Sequence, residues 1–259
     1  MAPADAVAVA VVGRLRAAGC VFAEDEARLL MTAAGTPAEL DAMVSRRAAG
    51  EPLEQVVGWA EFCGLRIAVA PGVFVPRRRT EFLVQQAVSL ARPGAVIVDV
   101  CCGAGAIGAA LAAAVEGAEV HAADIDAAAV RCARQNIPGG HVYQGDLYEP
   151  VPAGLRGRVT ILAANVPYVP AGEIGFLPPE ARMHEPRAAL DGGGDGLDVL
   201  RRVAAGAPGW LAPGGHLLSE ISERQAAAAE AALAAAGLSA RVVASGDLDA
   251  TVIIGQRRE

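Results

Sequence analysis

The chain has 259 residues, 53 % hydrophobic and 20 % charged, enough for one catalytic-size domain and a small second unit. Ala supplies much of the apolar fraction, and Arg, Asp or Glu interrupts every long apolar stretch, so no transmembrane helix is expected; nor does the start, Met1-Ala2-Pro3-Ala4-Asp5, put positive charge ahead of an apolar core, which points to a cytoplasmic location. Net charge is −7, all 22 basic residues are Arg, and the only dense basic cluster is Arg77-Arg78-Arg79, which excludes an extended phosphate track and makes DNA an unexpected partner.

Residues 1–58 are Ala-rich with helical spacing, and Thr36-Pro37-Ala38-Glu39 has the capping-box pattern with Pro at the first helical position. A small helical domain is predicted there. Over 59–80 the period shortens: Glu61 to Val69, the turn signal Pro71-Gly72, then Val73-Phe74-Val75 predict a hairpin that connects to the larger domain, 81–259. That domain alternates strand and helix patterns. Strands are predicted at Ala95–Val100, Glu119–Asp124, His141–Asp146, Val159–Ala164 and His216–Ile221, with helices starting near Ala106, Ala127, Asp195 and Glu223. Arg241–Ala244 and Thr251–Ile254 lie too close together for a helix between them and should pair antiparallel. Five parallel strands followed by an antiparallel hairpin give an α/β, Rossmann-like, seven-stranded sheet, the arrangement of class I S-adenosylmethionine-dependent methyltransferases.

The chemistry concentrates where strands give way to loops. Asp99-Val100-Cys101-Cys102-Gly103-Ala104-Gly105 leads from the first strand into a helix, and Gly103, Gly105 and Gly108 satisfy G-x-G-x-x-G. Asp124 closes the second strand about 20 residues on, where a carboxylate takes ribose hydroxyls. A nicotinamide cofactor and S-adenosylmethionine both fit so far. Asp146 and Leu147, at the end of the third strand, place a carboxylate by an adenine amino group and an apolar side chain by its ring. Asn165-Val166-Pro167-Tyr168 follows the fourth strand and should face the glycine loop. Attack on a methyl sulfonium by a planar nitrogen needs acceptors that draw its N–H groups out of conjugation: Asn165 Oδ1 and a backbone carbonyl supply them. Pro167 stiffens the segment and Tyr168 offers a flat face to a planar group.

Asn165-Val166-Pro167-Tyr168 resembles the Asn-Pro-Pro-Tyr signature of amino-methyltransferases acting on planar nitrogens. With Glu51–Gly58, Val75-Pro76-Arg77, Thr80-Glu81 and above all Glu185-Pro186-Arg187-Ala188-Ala189-Leu190-Asp191-Gly192-Gly193-Gly194-Asp195-Gly196-Leu197, the chain is similar to the HemK/PrmC family of protein (glutamine-N5) methyltransferases. The resemblance implies methyl transfer from S-adenosylmethionine, leaving S-adenosylhomocysteine, to a protein glutamine amide, in the family's case that of the Gly-Gly-Gln loop of peptide-chain release factors. It implies that Cys101, Cys102, Gly103, Ala104, Gly105 and Asp124 hold the methionine and ribose parts. Leu147 stands where the family has an adenine-side contact, and Asn165, Val166, Pro167 and Tyr168 would hold the glutamine.

Departures from the family pattern are local. Val166 stands at the first Pro of the signature, Cys101-Cys102 at the usual Gly-Thr, and Arg78-Arg79 at the usual Pro and acidic residue, which suggests a paralogous branch. The same residues also suit a small-molecule or nucleobase N-methyltransferase, or a non-catalytic cofactor-binding module. No C-x-x-C pair joins the five Cys, and His121, His141, His184 and His216 lack metal spacing, so reduced thiols and no metal are expected. Asp191–Gly196 lacks the ligand pattern of a calcium loop and is read as a helix-entry loop over the cleft, with Glu185 a candidate for ordering the Asn165–Tyr168 tetrad.

Overall fold

A computed structural model describes residues 3–258. Its N-terminal part is helical: α1 (Pro3–Ala17), α2 (Ala23–Ala33), α3 (Pro37–Ala48) and the short α4 (Leu53–Val57), closed on Leu15, Leu30, Val44 and Val56. The start of α3 forms as its sequence dictates. Thr36 accepts a hydrogen bond from the Glu39 N–H at 3.2 Å, Pro37 occupies the first turn, and the Glu39 carboxylate reaches back to the Gly35 N–H at 2.8 Å.

β1 (Trp59–Phe62) and β2 (Leu65–Ala68) form the connecting hairpin. Its turn is Cys63-Gly64, both left-handed at φ 50° and 73°, the conformation a two-residue hairpin turn requires. The expected turn at Pro71-Gly72 is therefore displaced, and Val73–Val75 is not a strand. Residues 69–77 form a strap along the hairpin, tied down where Gln55 Nε2 donates to the Val73 carbonyl at 2.9 Å and a short 3₁₀ turn covers Arg78–Thr80.

The larger unit is built from α5 (Glu81–Leu90), β3 (Val96–Val100), α6 (Ala106–Ala114), β4 (Glu119–Asp124), α7 (Ala127–Asn136), β5 (His141–Gln144), β6 (Val159–Ala164), α8 (Pro179–His184), α9 (Asp198–Trp210), β7 (Leu211–Ile221), α10 (Ala226–Ala235), β8 (Leu238–Ser245) and β9 (Ala250–Arg257). The sheet order is β5-β4-β3-β6-β7-β9-β8, parallel through β7, with β9 antiparallel to both β7 and β8. β3 is buried at every position, as expected of a central parallel strand covered on both faces. One layer packs Leu83, Ile107 and Leu111 against Ile97 and Ile161; the other packs Leu200, Val203 and Trp210 against Val98, Leu162 and Leu217.

The predicted strands of the larger unit occur in the observed order, with α5 and α8 in addition to the predicted helices, and the fold is that of a class I S-adenosylmethionine-dependent methyltransferase. Boundaries move: the third parallel strand stops at Gln144, leaving Asp146 and Leu147 in the loop after it, and α9 starts at Asp198 rather than near Asp195, the intervening residues being occupied by loop contacts described below. Among the described residues no helix is long and apolar enough to cross a membrane.

Candidate active site

The connections from the central strand run in opposite directions, β3 to β4 on one side and β6 on the other, so the loops after β3, β4 and β6 diverge and leave a crevice at the carboxyl ends of the strands. A cavity of about 580 Å³ lies there, within the size range of cofactor sites. Cys101, Cys102, Gly103, Ala104, Asp124, Asp146, Leu147 and all of Asn165 to Tyr168 line it. Gly105 of the expected set does not. It turns the chain at φ 79°, and a Cβ there would stand 2.9 Å from the Ala133 backbone, so glycine lets α6 and α7 approach.

Asp124 shapes the loop opposite it. Its Oδ2 accepts from the Gly103 N–H at 2.8 Å and its Oδ1 from the Asp126 N–H at 2.9 Å, while burial raises its pKa above the ordinary carboxylate range. The neighbouring Ile125 lines the cavity as an apolar wall and is 63 % exposed. Beneath the loop, Asp99 is fully buried: its Oδ2 accepts from the Gly108 N–H at 3.0 Å, its Oδ1 has no partner, and burial pushes its pKa up to about 7. Cys101 is left-handed at φ 56° without being glycine. Burial, with Asp124 and Asp99 nearby, holds the thiols of Cys101 and Cys102 above the ordinary range, which keeps them neutral packing groups rather than nucleophiles. Asp146 accepts from Arg202 Nη2 at 2.5 Å; Arg202, on α9, also lines the cavity and carried no signal in the sequence.

The tetrad is held from three sides. Asn165 Nδ2 donates to Thr80 Oγ1 over a long 3.5 Å, and Asn165 Oδ1 is buried without a partner. Val166 is 2 % exposed and packs in the core layer beneath the sheet. The Tyr168 hydroxyl donates to Glu220 Oε1 at 2.7 Å and accepts from Arg79 Nη2 at 2.7 Å, and burial followed by the Glu220 charge raises the phenol's pKa well above its ordinary value. The expected flat platform is thus also anchored by its hydroxyl.

Residues 191–196 explain their own glycines. Gly192 N–H donates to the Val169 carbonyl at 2.9 Å, and a Cβ at Gly192 would stand 2.7 Å from the Pro167 carbonyl oxygen. A Cβ at Gly196 would overlap the Tyr168 carbonyl oxygen and the Gln225 side-chain amide. Gln225 Nε2 completes the contact, donating to the carbonyls of Tyr168 at 2.9 Å and Asp195 at 3.0 Å. This is a helix-entry loop, as expected, but it is pressed against the tetrad's backbone. Glu185 does not order the tetrad. Its Oε1 accepts from the Val75 N–H at 3.2 Å and from Arg77 Nη2 at 2.6 Å, so it fixes the strap.

The family model described as "Methyltransferase small domain" matches residues 64–195. The release factor glutamine methyltransferase of Geobacter sulfurreducens is 40 % identical over 197 residues, covering 73 % of this chain and 68 % of that protein. The chain belongs to the HemK/PrmC family of release factor glutamine methyltransferases. A second member of the family, from Cereibacter sphaeroides, is 38 % identical and matches 96 % of this chain and 95 % of its own, so the similarity takes in the N-terminal helices. Outside the family's own name, the 4-amino-L-phenylalanine/4-methylamino-L-phenylalanine methyltransferase of Streptomyces pristinaespiralis is 37 % identical over 203 residues, covering 75 % of this chain and 69 % of that one. A solved methyltransferase from Pyrococcus furiosus shares the fold, with a TM-score of 0.58, 17 % identity, and coverage of 76 % of this chain and 90 % of that chain.

Of the residues that sequence reasoning singled out for a HemK/PrmC member, the 101–104 loop, Asp124 and the tetrad line one cavity. That reasoning missed Thr80, Arg79, Glu220 and Gln225 as supports of the tetrad. It also missed that His121 and His141, scattered in sequence, stack at 4.9 Å across neighbouring strands; among the described residues no group of His, Cys, Asp and Glu suits a metal.

Proposed function

We propose that this chain transfers a methyl group from S-adenosylmethionine to the side-chain amide nitrogen of a protein glutamine, the Gly-Gly-Gln glutamine of a release factor. The observation that carries this is the buried, unpartnered Oδ1 of Asn165, on the wall of the cavity just beyond the loop that suits the cofactor. A buried acceptor without a donor costs about 1–3 kcal/mol. An amide N–H of the acceptor repays that cost.

The residues fit the cofactor. Asp124 would hold the ribose hydroxyls, Ile125 and Leu147 would flank the adenine with Asp146 near its amino group, and the 101–104 loop would hold the methionine part. S-adenosylmethionine, when bound, supplies an electrophilic methyl on a sulfonium. Asn165 Oδ1 and the Val166 carbonyl accept the two N–H groups of the glutamine amide, weakening the conjugation of its lone pair. Tyr168, fixed through its hydroxyl, stacks on the amide plane. Held by these two acceptors, the amide nitrogen would take the methyl group, with S-adenosylhomocysteine as the leaving product, and would release one proton to water. Pro52 and Glu54 of the helical unit and Phe62 of the hairpin also line the cavity and would meet the protein substrate.

Labelled S-adenosylmethionine with the host's release factors, and mass spectrometry to locate the label, tests this. Label on the Gly-Gly-Gln glutamine, absent with Asn165→Ala, is the expected result. A small arylamine amino acid is favoured as a second acceptor by the relative whose name gives 4-amino-L-phenylalanine as its substrate. Methylation of that compound, with no label on any release factor, would replace the first proposal by the second.

A further inference from the structure

An Asn side chain has nearly the same shape in its two flipped orientations, so packing alone does not choose between them; its hydrogen bonds do. For Asn165 only one orientation serves, with Oδ1 toward the methyl acceptor. What selects it lies behind the residue. Asn165 Nδ2 meets Thr80 Oγ1 at 3.5 Å, and the Thr80 hydroxyl donates its single proton to Glu220 Oε2 at 2.6 Å. Glu220 is 2 % exposed, and its other oxygen accepts from Arg79 Nε at 2.9 Å and from the Tyr168 hydroxyl at 2.7 Å. Its place follows from the sheet: β7 pairs with β6 in the register Leu162 to Leu217 and Ala163 to Leu218, and the Ser219 hydroxyl donates to the Ala164 carbonyl at 2.6 Å, which carries Glu220 alongside Asn165.

We propose that Glu220 is the positioning residue of the acceptor site. A carboxylate has no proton to give, so every group that meets it must donate. Thr80 spends its proton on Glu220 and is left as an acceptor. An acceptor behind Asn165 requires the NH₂ end of the amide there, and Oδ1 is turned the other way. The same carboxylate holds the Tyr168 hydroxyl, so one buried charge sets both ends of the tetrad, with Arg79 as its counter-charge. The proposal rests on the role given to Asn165 above.

Four variants test it: Thr80→Val, Thr80→Ser, Glu220→Gln and the Thr80→Val/Glu220→Gln pair. Rates are measured on a synthetic Gly-Gly-Gln peptide, cofactor affinity by calorimetry, and the Asn165 side-chain NH₂ resonances by NMR, identified by their loss in Asn165→Ala. Thr80→Val is expected to lower kcat roughly 10- to 100-fold with the cofactor Kd within about threefold, and to move the Asn165 resonances. Thr80→Ser, which restores the hydroxyl, recovers most of the rate. Glu220→Gln, able to donate to Thr80 and reverse the chain, lowers kcat similarly, and the double variant is no worse than the worse single one. Should Glu220→Gln not fold once Arg79 loses its counter-charge, Thr80→Val carries the test with that ion pair intact. Unchanged kcat and unmoved Asn165 resonances in Thr80→Val, or losses that simply multiply in the pair, overturn the proposal. If the wild type methylates neither the glutamine peptide nor a release factor, the functional reading fails, while the NMR arm still decides the hydrogen-bond chain.

Discussion

Substituting Ala for Gly196 separates the support of the acceptor site from the cofactor cradle. Gly196 sits at φ 80°, and its missing Cβ leaves room for the Tyr168 carbonyl and the Gln225 amide, contacts a real Cβ would make at under 3.0 Å. The left-handed conformation costs an Ala about 1–2 kcal/mol, and displacing Gln225 weakens two hydrogen bonds of about 0.5–1.5 kcal/mol each, a total of roughly 2–5 kcal/mol. At the unfolding entropy typical of a chain this long, each kcal/mol moves Tm by about 2 °C, so a fall of roughly 4–10 °C is expected by calorimetry. The larger effect is on rate. Relief of the overlap moves the tetrad's backbone by a sizeable fraction of an ångström, and a ~1 Å misplacement of a reacting group costs about 100-fold. Gly196 does not line the cavity, so the cofactor Kd should stay within about threefold. Gly194→Ala, two residues away, where a Cβ meets nothing within 4 Å, is the control and should behave as wild type. Unchanged kcat and Tm in Gly196→Ala, or equal damage from Gly194→Ala, would refute the packing argument.

Other expectations follow from single contacts. Asp99, with a pKa of about 7 in the fold against 3.8 in the open chain, makes the folded state bind its proton more tightly. Its contribution is fully present below pH 4 and is lost as pH rises through 7, by up to about 4 kcal/mol. The difference between wild-type and Asp99→Asn unfolding curves across pH 4–8 should show that slope, and a flat difference refutes it. Asp124→Ala should weaken S-adenosylmethionine by roughly 10- to 100-fold in calorimetry, the worth of charge-assisted hydrogen bonds to a diol; an unchanged Kd would place the ribose elsewhere. Arg47 Nε donates to Glu26 at 2.7 Å and its Nη1 to Glu180 at 2.6 Å, joining the N-terminal helices to α8. Arg47→Met strands Glu26, which is 8 % exposed, and should cost roughly 3–5 kcal/mol in denaturant unfolding; a loss under ~1 kcal/mol would mean that water reaches Glu26.

The sheet was legible because its signals are local: apolar runs such as Val96–Val100 and glycines at strand ends. The tetrad was legible because it follows β6 directly. Its supports were not. Thr80 lies 140 residues from Glu220, and nothing in either neighbourhood specifies the other as partner. The hairpin turn was misjudged because Pro71-Gly72 carries the familiar turn residues, whereas Cys63 is rarely left-handed and gives no such signal. Arg202 found its partner through the packing of α9, a helix the sequence predicts but does not orient, and Glu185 lies at the end of α8, a six-residue helix with no signal in the sequence.

The two halves of the site differ in how their parts are spread along the polypeptide. The cradle proposed for the cofactor draws on residues 99–147, one unbroken stretch, whereas the proposed acceptor half gathers Thr80, Asn165, Gly196, Glu220 and Gln225 from across the chain. During synthesis from the N-terminus the cradle's own residues have all emerged long before Gln225. The acceptor half also closes longer loops and so bears the larger entropic cost of assembly. Divergence in what is methylated therefore has many separate places to act, while divergence in the methyl donor is confined to one βαβαβ segment.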